Sequence, residues 1–219
     1  VSAGTVSAVV NGKAGVSAEL AERVRQAMEA LDYHPNQVAR SLKVRHTHTI
    51  GMVIPDVTNP FFGDVMGGVE DEARRNGYSI IFCNTNEDPE LERRQLSMLF
   101  SRRVDGVLLA PTDSHAAQDR LTRRRFPLVF FDRIPTDFLG AAVVTDNLEV
   151  SRKAARHLVG LGHERIAIIA GRLNLSNGLD RLEGVRQALQ EAHLPLREEY
   201  LALGDFRMES GYQCGLKLM

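Results

Sequence analysis

The 219 residues contain only two cysteines, Cys83 inside an apolar run and Cys214 far from it. Two such residues do not make a disulfide framework, and they fit buried thiols in a reducing compartment. Zinc-ligand spacing is absent as well. No apolar run approaches the roughly 20 residues that a membrane-crossing helix needs, and no signal-peptide pattern opens the chain. Three phosphate and nucleophile signatures are missing: G-x-G-x-x-G, G-x-x-x-x-G-K-[ST] and the G-x-S-x-G elbow. Asp and His residues are present, but no spacing assigns them catalytic partners, so an enzyme is the least favoured class. What remains is ordinary globular composition, 43% hydrophobic and 25% charged, in a chain long enough for a small module plus a larger domain.

Net charge is also nearly absent, at −1, but the balance hides an asymmetry. Residues 1–48 hold six Lys/Arg against four acids, and the rest of the chain holds 21 against 24. Within that first part, residues 36–48, NQVARSLKVRHTH, carry three cations, two histidines and no acid. A short basic arm on a slightly acidic body is compatible with a polyanionic partner.

From residue 49 onward the pattern changes. TIGMVIP (49–55), YSIIFCN (78–84), VDGVLLAP (104–111), FPLVFFD (126–132) and RIAIIAG (165–171) are short, nearly unbroken apolar runs. Such runs predict strands buried on both faces of a parallel sheet. GAAVVTDN (140–147) predicts a further strand. Helix-length amphipathic stretches lie between the runs. They are marked by Phe61, Val65, Val69 and Ala73, by Leu91, Leu96 and Leu99, by Leu121, by Ala155 and Leu158, and by Leu182, Val185 and Leu189. Gly77 and Gly162 stand where the first and fourth should stop. The alternation predicts βαβ units and a doubly wound α/β fold.

Polar residues cluster just past the strands: Asp56, Asn59, Asn84, Asn86, Thr112, Asp113, Asp132, Arg133 and Asn174. Ligands of open α/β sheets bind outside those strand ends. Phe61 and Phe62 stand side by side after Asn59-Pro60, so at least one ring should face away from the helix's core side. Asp132-Arg133 sets an acceptor and a fork-shaped donor beside an apolar strand. Aromatic faces with bidentate polar groups suit a compact polyhydroxylated or heterocyclic ligand.

Residues 1–48 read differently. Ser2 can cap a first helix whose Thr5, Val6, Val9 and Val10 have apolar spacing, while Ala3, Gly4 and Ala8 should face solvent. Ser17 caps a second helix with Glu19 in its first turn and a stripe of Leu20, Val24, Ala27, Met28 and Leu31. Tyr33-His34-Pro35 ends it, and Asn36 caps a third, QVARSLK. These helices are too small to own a core. They decorate the sheet domain or form a nucleic-acid-binding headpiece.

TVSAVVNGKAGVSAELAERVRQAMEALDYHPNQVARSLK resembles the headpiece of the LacI/GalR family of bacterial transcription regulators. IGMVIPDVTNPFF, DGVLLAP, VFFDR, VVTDN, HLVGLGHERIAIIAG and DRLEGVRQAL resemble that family's ligand-binding core, which is similar to periplasmic sugar-binding proteins. The resemblance implies an α/β fold with a partial helix-turn-helix headpiece over 1–35 and a hinge helix and linker over 36–48. A periplasmic-binding-protein-like doubly wound core then follows, its first lobe at 49–145 and its second at 146–219, incomplete. The headpiece's first helix is expected upstream of Val1 and roughly 100 residues of the second lobe downstream of Met219. A piece without that first helix is expected to bind operator weakly.

On the same resemblance, SAGTVSAVVN corresponds to the recognition helix of the major groove. Ser2, Thr5, Ser7 and Asn11 match short polar positions suited to phosphate, and Ala3, Gly4 and Ala8 match base-reading positions. Ser17 and Tyr33 belong to the same DNA-facing set. Ala8 departs from the family, which commonly has Arg or His there and so a stronger reader of guanine. In the hinge, Asn36 caps, Ala39 permits close approach, Arg40 supplies charge and Leu42 matches a wedge that unstacks a central base step. In the core, Asn59, Phe61, Phe62, Asp132, Arg133 and Arg181 match effector-contact positions. The implied partners are operator DNA, a sugar or nucleoside-like effector and a second copy in a homodimer, in the cytoplasm, with no cofactor, metal or membrane. A periplasmic-type solute-binding protein is the alternative, and the headpiece segments count against it.

Overall fold

The computed structural model describes residues 1–10, 14–33, 46–112, 126–135, 138 and 140–219, which form two units, Val1–Thr47 and His48–Met219. In the first unit, helix α1 spans Ala3–Val10 and α2 spans Ala18–Ala30. Ser2 begins α1 as expected: its Oγ accepts the Thr5 N–H at 3.2 Å and lies 3.0 Å from Thr5 Oγ1. Ser17 Oγ does the same for α2, accepting the Leu20 N–H at 3.4 Å, with Glu19 in the first turn. Each cap satisfies one of the amide donors left unpaired at a helix start.

The predicted stripe of α2 is shorter than expected. Val24 is buried, but Ala27 is exposed and Leu31 is 77% exposed. The helix has already turned off there: Asp32 adopts φ +47, and the Tyr33 N–H reaches back to the Met28 carbonyl at 2.8 Å. The third helix and all but the last three residues of the 36–48 hinge and linker, together with Leu121 of the third amphipathic stretch, lie outside the described residues.

The second unit is built on strands β1 (Thr49–Ile54), β2 (Ser79–Asn84), β3 (Gly106–Leu109), β4 (Leu128–Phe131) and β5 (Ala142–Val143). They pair in the order β2-β1-β3-β4-β5, every pair parallel. Helix α3 (Pro60–Arg75) joins β1 to β2, and α4 (Pro89–Ser101) joins β2 to β3. A second parallel sheet pairs β6 (Ile168–Ala170) with β7 (Leu201–Leu203). It is accompanied by α5 (Asn147–Gly160), α6 (Ser176–Glu191) and α7 (Met208–Leu218).

Local chemistry fixes these elements. Asn59 caps α3 and Asp88 caps α4, each followed by a proline whose missing N–H costs nothing in a first turn. Gly77 ends α3 at φ +72, with the Tyr78 N–H on the Ala73 carbonyl at 2.8 Å; Gly162 ends α5 at φ +85. Strand β1 is buried on both sides, as its unbroken apolar run predicts. Met52 and Ile54 pack with Phe62, Ala110 and Phe131 on one face, and Val53 packs with Leu99, Leu109 and Phe130 on the other.

Burial on both faces does not extend to the sheet's margins. Phe82 in β2 is 43% exposed and Val143 in β5 is 70% exposed. Each lies on an edge strand with one neighbour, where less of the strand is covered. Among the described residues no helix is long and apolar enough to cross a membrane.

Candidate functional site

The carboxyl ends of β1, β2, β4, β6 and β7 lead into the polar segments that matter. Past β4, Asp132 sits at φ +64, a conformation sparsely used by residues with a side chain. Its two carboxylate oxygens each lie 3.2 Å from Nδ2 of Asn177, near the start of α6. Beside it, Arg133 is only 3% exposed. Its terminal nitrogens donate to both oxygens of Glu87, at 3.3 and 3.2 Å, and its Nε donates to Asp132 at 3.3 Å. Arg172, past β6, adds a second cation 3.7 Å from Glu87. The fork expected of Arg133 therefore closes on Glu87, with its Nε on Asp132. Oδ1 of Asn177 is buried and has no hydrogen-bond partner among the described residues.

Past β1, Asn59 spends its side chain on the α3 cap, accepting the Phe61 N–H at 3.1 Å. The two phenylalanines diverge as the doublet predicts. Phe61 is 45% exposed, whereas Phe62 is 2% exposed and lies edge-on to Phe131 in the core. An effector surface can use only the first ring. Asp56 is held at one oxygen by the Thr58 N–H and hydroxyl, at 2.9 and 2.6 Å, and at the other by Arg207 Nε at 3.0 Å. Burial, the largest single influence on this carboxyl, pushes its pKa up. The Thr58 hydrogen bonds and the Arg207 guanidinium together outweigh it and hold Asp56 below its ordinary value.

Arg181, in the second turn of α6, donates from Nε to the buried Asn147 Oδ1 at 2.7 Å. Its guanidinium lies 5.6 Å from the centre of the Phe206 ring, within cation–π range. Phe206 follows β7 at φ +68, and its ring lies against Gly171; a Cβ at that glycine would meet the ring at 1.9 Å. Gly184, three residues after Arg181, has a different job. A Cβ there would meet the Leu148 carbonyl oxygen at 2.2 Å, so the glycine lets α5 and α6 cross closely. Ile168, Gly171, Arg181, Phe206 and Arg207 border a cavity of about 310 Å³. That volume is at the lower end of small-molecule sites, roughly 300–1,000 Å³. Nearby Asp180 has its pKa raised, by burial first and by the charge of Asp146 second.

In the first unit, Ala3, Gly4 and Ser7 lie on the exposed face of α1, while Thr5 and Ala8 are half-buried. Nothing in α1 is buried. Ser2 and Ser17 serve as helix caps, and Tyr33 is 52% exposed. Asn11, Asn36, Ala39, Arg40 and Leu42 lie outside the described residues.

Sequence reasoning did not select Glu87, Asn147, Asn177 or Phe206. Phe206 was hidden because β7 is a run of three residues, too short to announce a strand end. Glu87 and Asn177 sit in polar loops where no local pattern distinguishes them, and only long-range pairing gives them meaning.

A doubly wound sheet with polar groups at its strand ends, joined in sequence to a unit of short capped helices, defines a ligand-binding core carrying a separate helical headpiece. Residues 47–219 match the model for periplasmic binding proteins and the sugar binding domain of the LacI family. Residues 1–36 match the model for bacterial regulatory proteins of the lacI family. The chain belongs to the LacI family of bacterial regulatory proteins. It is similar to the ribose operon repressor of Escherichia coli (strain K12), with 37% identity over 100% of this chain and 67% of that protein. It is also similar to the HTH-type transcriptional repressor PurR of Actinobacillus pleuropneumoniae serotype 5b (strain L20), with 36% identity over 97% of this chain and 64% of that protein. Among solved structures, the lac repressor dimer bound to operator and the anti-inducer ONPF superposes with a TM-score of 0.86 at 27% identity, covering 97% of this chain and 64% of that one. The chain thus spans about two thirds of the length of these relatives.

Proposed function

We propose that this chain is the greater part of a DNA-binding transcriptional repressor whose operator affinity is set by a small polar effector, a sugar or a nucleoside. It acts as a homodimer in the cytoplasm and turns over no substrate. The headpiece supplies the DNA contacts. The exposed face of α1, with Ala3, Gly4, Ser7 and the Ser2–Thr5 start, enters the major groove. Its small side chains let backbone and phosphate contacts position the helix while offering few base-specific donors. Ala8, Asn11, Ser17 and Tyr33 extend this surface. Asn36, Ala39, Arg40 and Leu42 form the hinge that meets the minor groove.

The observation that carries the effector assignment is the pairing of Asp132 with Asn177 between the two sheets, which leaves the buried Asn177 Oδ1 with no hydrogen-bond partner among the described residues. Folded interiors rarely leave such an acceptor unsatisfied, and a hydroxyl or ring N–H of an effector would complete it. Asp132 then accepts a second donor from the same ligand, Phe61 offers an aromatic face, and Arg181 offers the terminal nitrogens that Asn147 leaves available. Asn59 shapes the loop that presents Phe61, and Arg133 holds Asp132 in place. Phe62 supports Phe61 from the core. This donor-hungry, partly aromatic lining matches hydroxyl-rich or heterocyclic ligands better than apolar ones.

The test is a thermal-shift screen of the intact protein against pentoses, hexoses, nucleosides and free bases, followed by DNA-binding titrations with each hit. The expected result is a stabilising ligand that changes affinity for a pseudo-palindromic site, in titrations whose affinity falls steeply with salt. A ligand that stabilises the protein yet leaves DNA binding unchanged would favour the solute-binding alternative. DNA affinity that is flat with salt would refute the headpiece assignment.

A further inference from the structure

Several contacts run between the five-stranded sheet region and the β6–β7 region. Asn177 meets Asp132, Arg172 meets Glu87, and the Ile134 N–H donates to Ser176 Oγ at 3.1 Å. Arg207 meets Asp56 at 3.0 Å. These contacts differ in how easily they break. Glu87 is 8% exposed, so separating it from its cations would strand a charge. Asp56 is as buried as Glu87, its side chain 10% exposed, but it makes a single contact to Arg207 and keeps both Thr58 hydrogen bonds at its other oxygen when Arg207 leaves. Arg207 is 50% exposed and stays solvated, so the Asp56–Arg207 pair parts more readily than the bidentate Glu87–Arg133 pair.

The backbone aims Arg207 at this partner. Its N–H donates to Asp205 Oδ1 at 3.0 Å, and the Asp205 N–H donates to Ser210 Oγ at 3.2 Å. Between them Phe206 takes its left-handed turn. That turn presses the ring onto Gly171 beneath Arg181 and carries the next side chain toward Asp56. One hydrogen-bonded corner thus holds the ring against Arg181 and the cation against Asp56.

We infer that Asp56 and Arg207 form a breakable charge latch between the lobes, which sets how far the ligand-free core is closed. Releasing it opens the lobes without unfolding either. Phe206 and Arg207 are consecutive, so displacement of the ring moves the latch residue. The latch itself works without any effector.

The test needs no ligand, so it succeeds or fails apart from the effector assignment. Hydrogen exchange of the Ile134 amide, whose acceptor lies in the other lobe, reports opening between the lobes; amides of Gly51–Ile54 report unfolding of the first sheet. In the intact protein at low salt, Arg207→Gln should speed Ile134 exchange about two- to fivefold, the span of a partly exposed ion pair, and leave the β1 amides unchanged. Arg207→Lys should keep exchange near the original rate. Raising salt from about 0.05 to about 0.5 M should speed exchange in the original protein and not in Arg207→Gln, because screening removes the same interaction. Equal Ile134 exchange in the original and Gln proteins overturns the latch. So does a salt response that survives in Arg207→Gln, which would assign closure to Arg172 and Glu87 instead. A parallel rise in the β1 amides would show global loosening and would also overturn it.

Discussion

Gly184 approaches Leu148 so closely that a Cβ added to the glycine would lie 2.2 Å from the leucine's carbonyl oxygen. That oxygen is backbone and cannot swing aside, and the Arg152 amide lies 3.0 Å away on the same side. The α5–α6 crossing therefore depends on the missing side chain. Gly184→Ala should cost about 1–3 kcal/mol by forcing the helices apart. Gly67→Ala is the control: it lies in α3 with nothing within 4 Å of the added Cβ, and should be stabilising by about 0.5–1 kcal/mol. Urea denaturation of both variants checks the contrast, and equal effects would contradict the close crossing.

The phenylalanine doublet separates stability from binding. Phe62→Ala removes a ring that is 2% exposed and should cost about 3–5 kcal/mol. Phe61→Ala removes a ring that is 45% exposed and edge-on to Phe62 at 5.1 Å, so it should cost only about 1–2 kcal/mol. Its effector affinity should nonetheless fall, as measured by calorimetric titration with a ligand found in the screen.

The Arg133–Glu87 pair should be intolerant of one-sided change. Glu87→Gln keeps the shape but removes the bidentate counter-charge of an arginine that is 3% exposed, leaving it the single Asp132 contact at 3.3 Å. With Asp132 still beside Arg133 the loss should be about 2–3 kcal/mol, below that of a fully orphaned buried charge, and Arg172 loses its contact at 3.7 Å as well. A denaturation midpoint unchanged from the original protein would show that solvent reaches this network.

Asp56 gives the pH dependence. Burial raises its pKa more than any other single influence, but the Thr58 hydrogen bonds and Arg207 together hold it below its ordinary value of 3.8. A carboxyl depressed in the folded state stabilises fully above its unfolded pKa. That contribution fades as pH falls through the lower folded value. Carboxyl NMR titration should therefore find Asp56 still ionised where an unperturbed aspartate is half protonated. Arg207→Gln should raise the midpoint, and because the Thr58 contribution remains, only part of the depression should be lost. A midpoint unmoved by that substitution would show that Arg207 does not reach the carboxylate in solution.

Local signals carried much of this architecture. Ser2 and Ser17 cap helices because short polar side chains before an amphipathic run have one obvious use, and Gly77 and Gly162 stop helices through positive φ. The divergence of Phe61 and Phe62 follows from helical geometry alone. Other features could not be read locally. β2 has an apolar run much like that of β1, yet it became the edge strand, because strand order is decided by crossovers and not by composition. Arg133 looked like a donor at a binding site. Its actual partner, Glu87, lies 46 residues earlier, and no periodicity links positions at that distance. Leu31 kept the helical spacing of its stripe but fell at the C-cap, where the chain had begun to turn away.

The strand order β2-β1-β3-β4-β5 also bears on how the lobe is made. As the chain leaves the ribosome, β1 emerges first, β2 joins one margin, and β3, β4 and β5 extend the other in turn. No strand has to wedge between two that have already paired. Assembly during synthesis thus proceeds by accretion, and the long crossovers of a parallel sheet are closed one at a time while the next segment is still being translated.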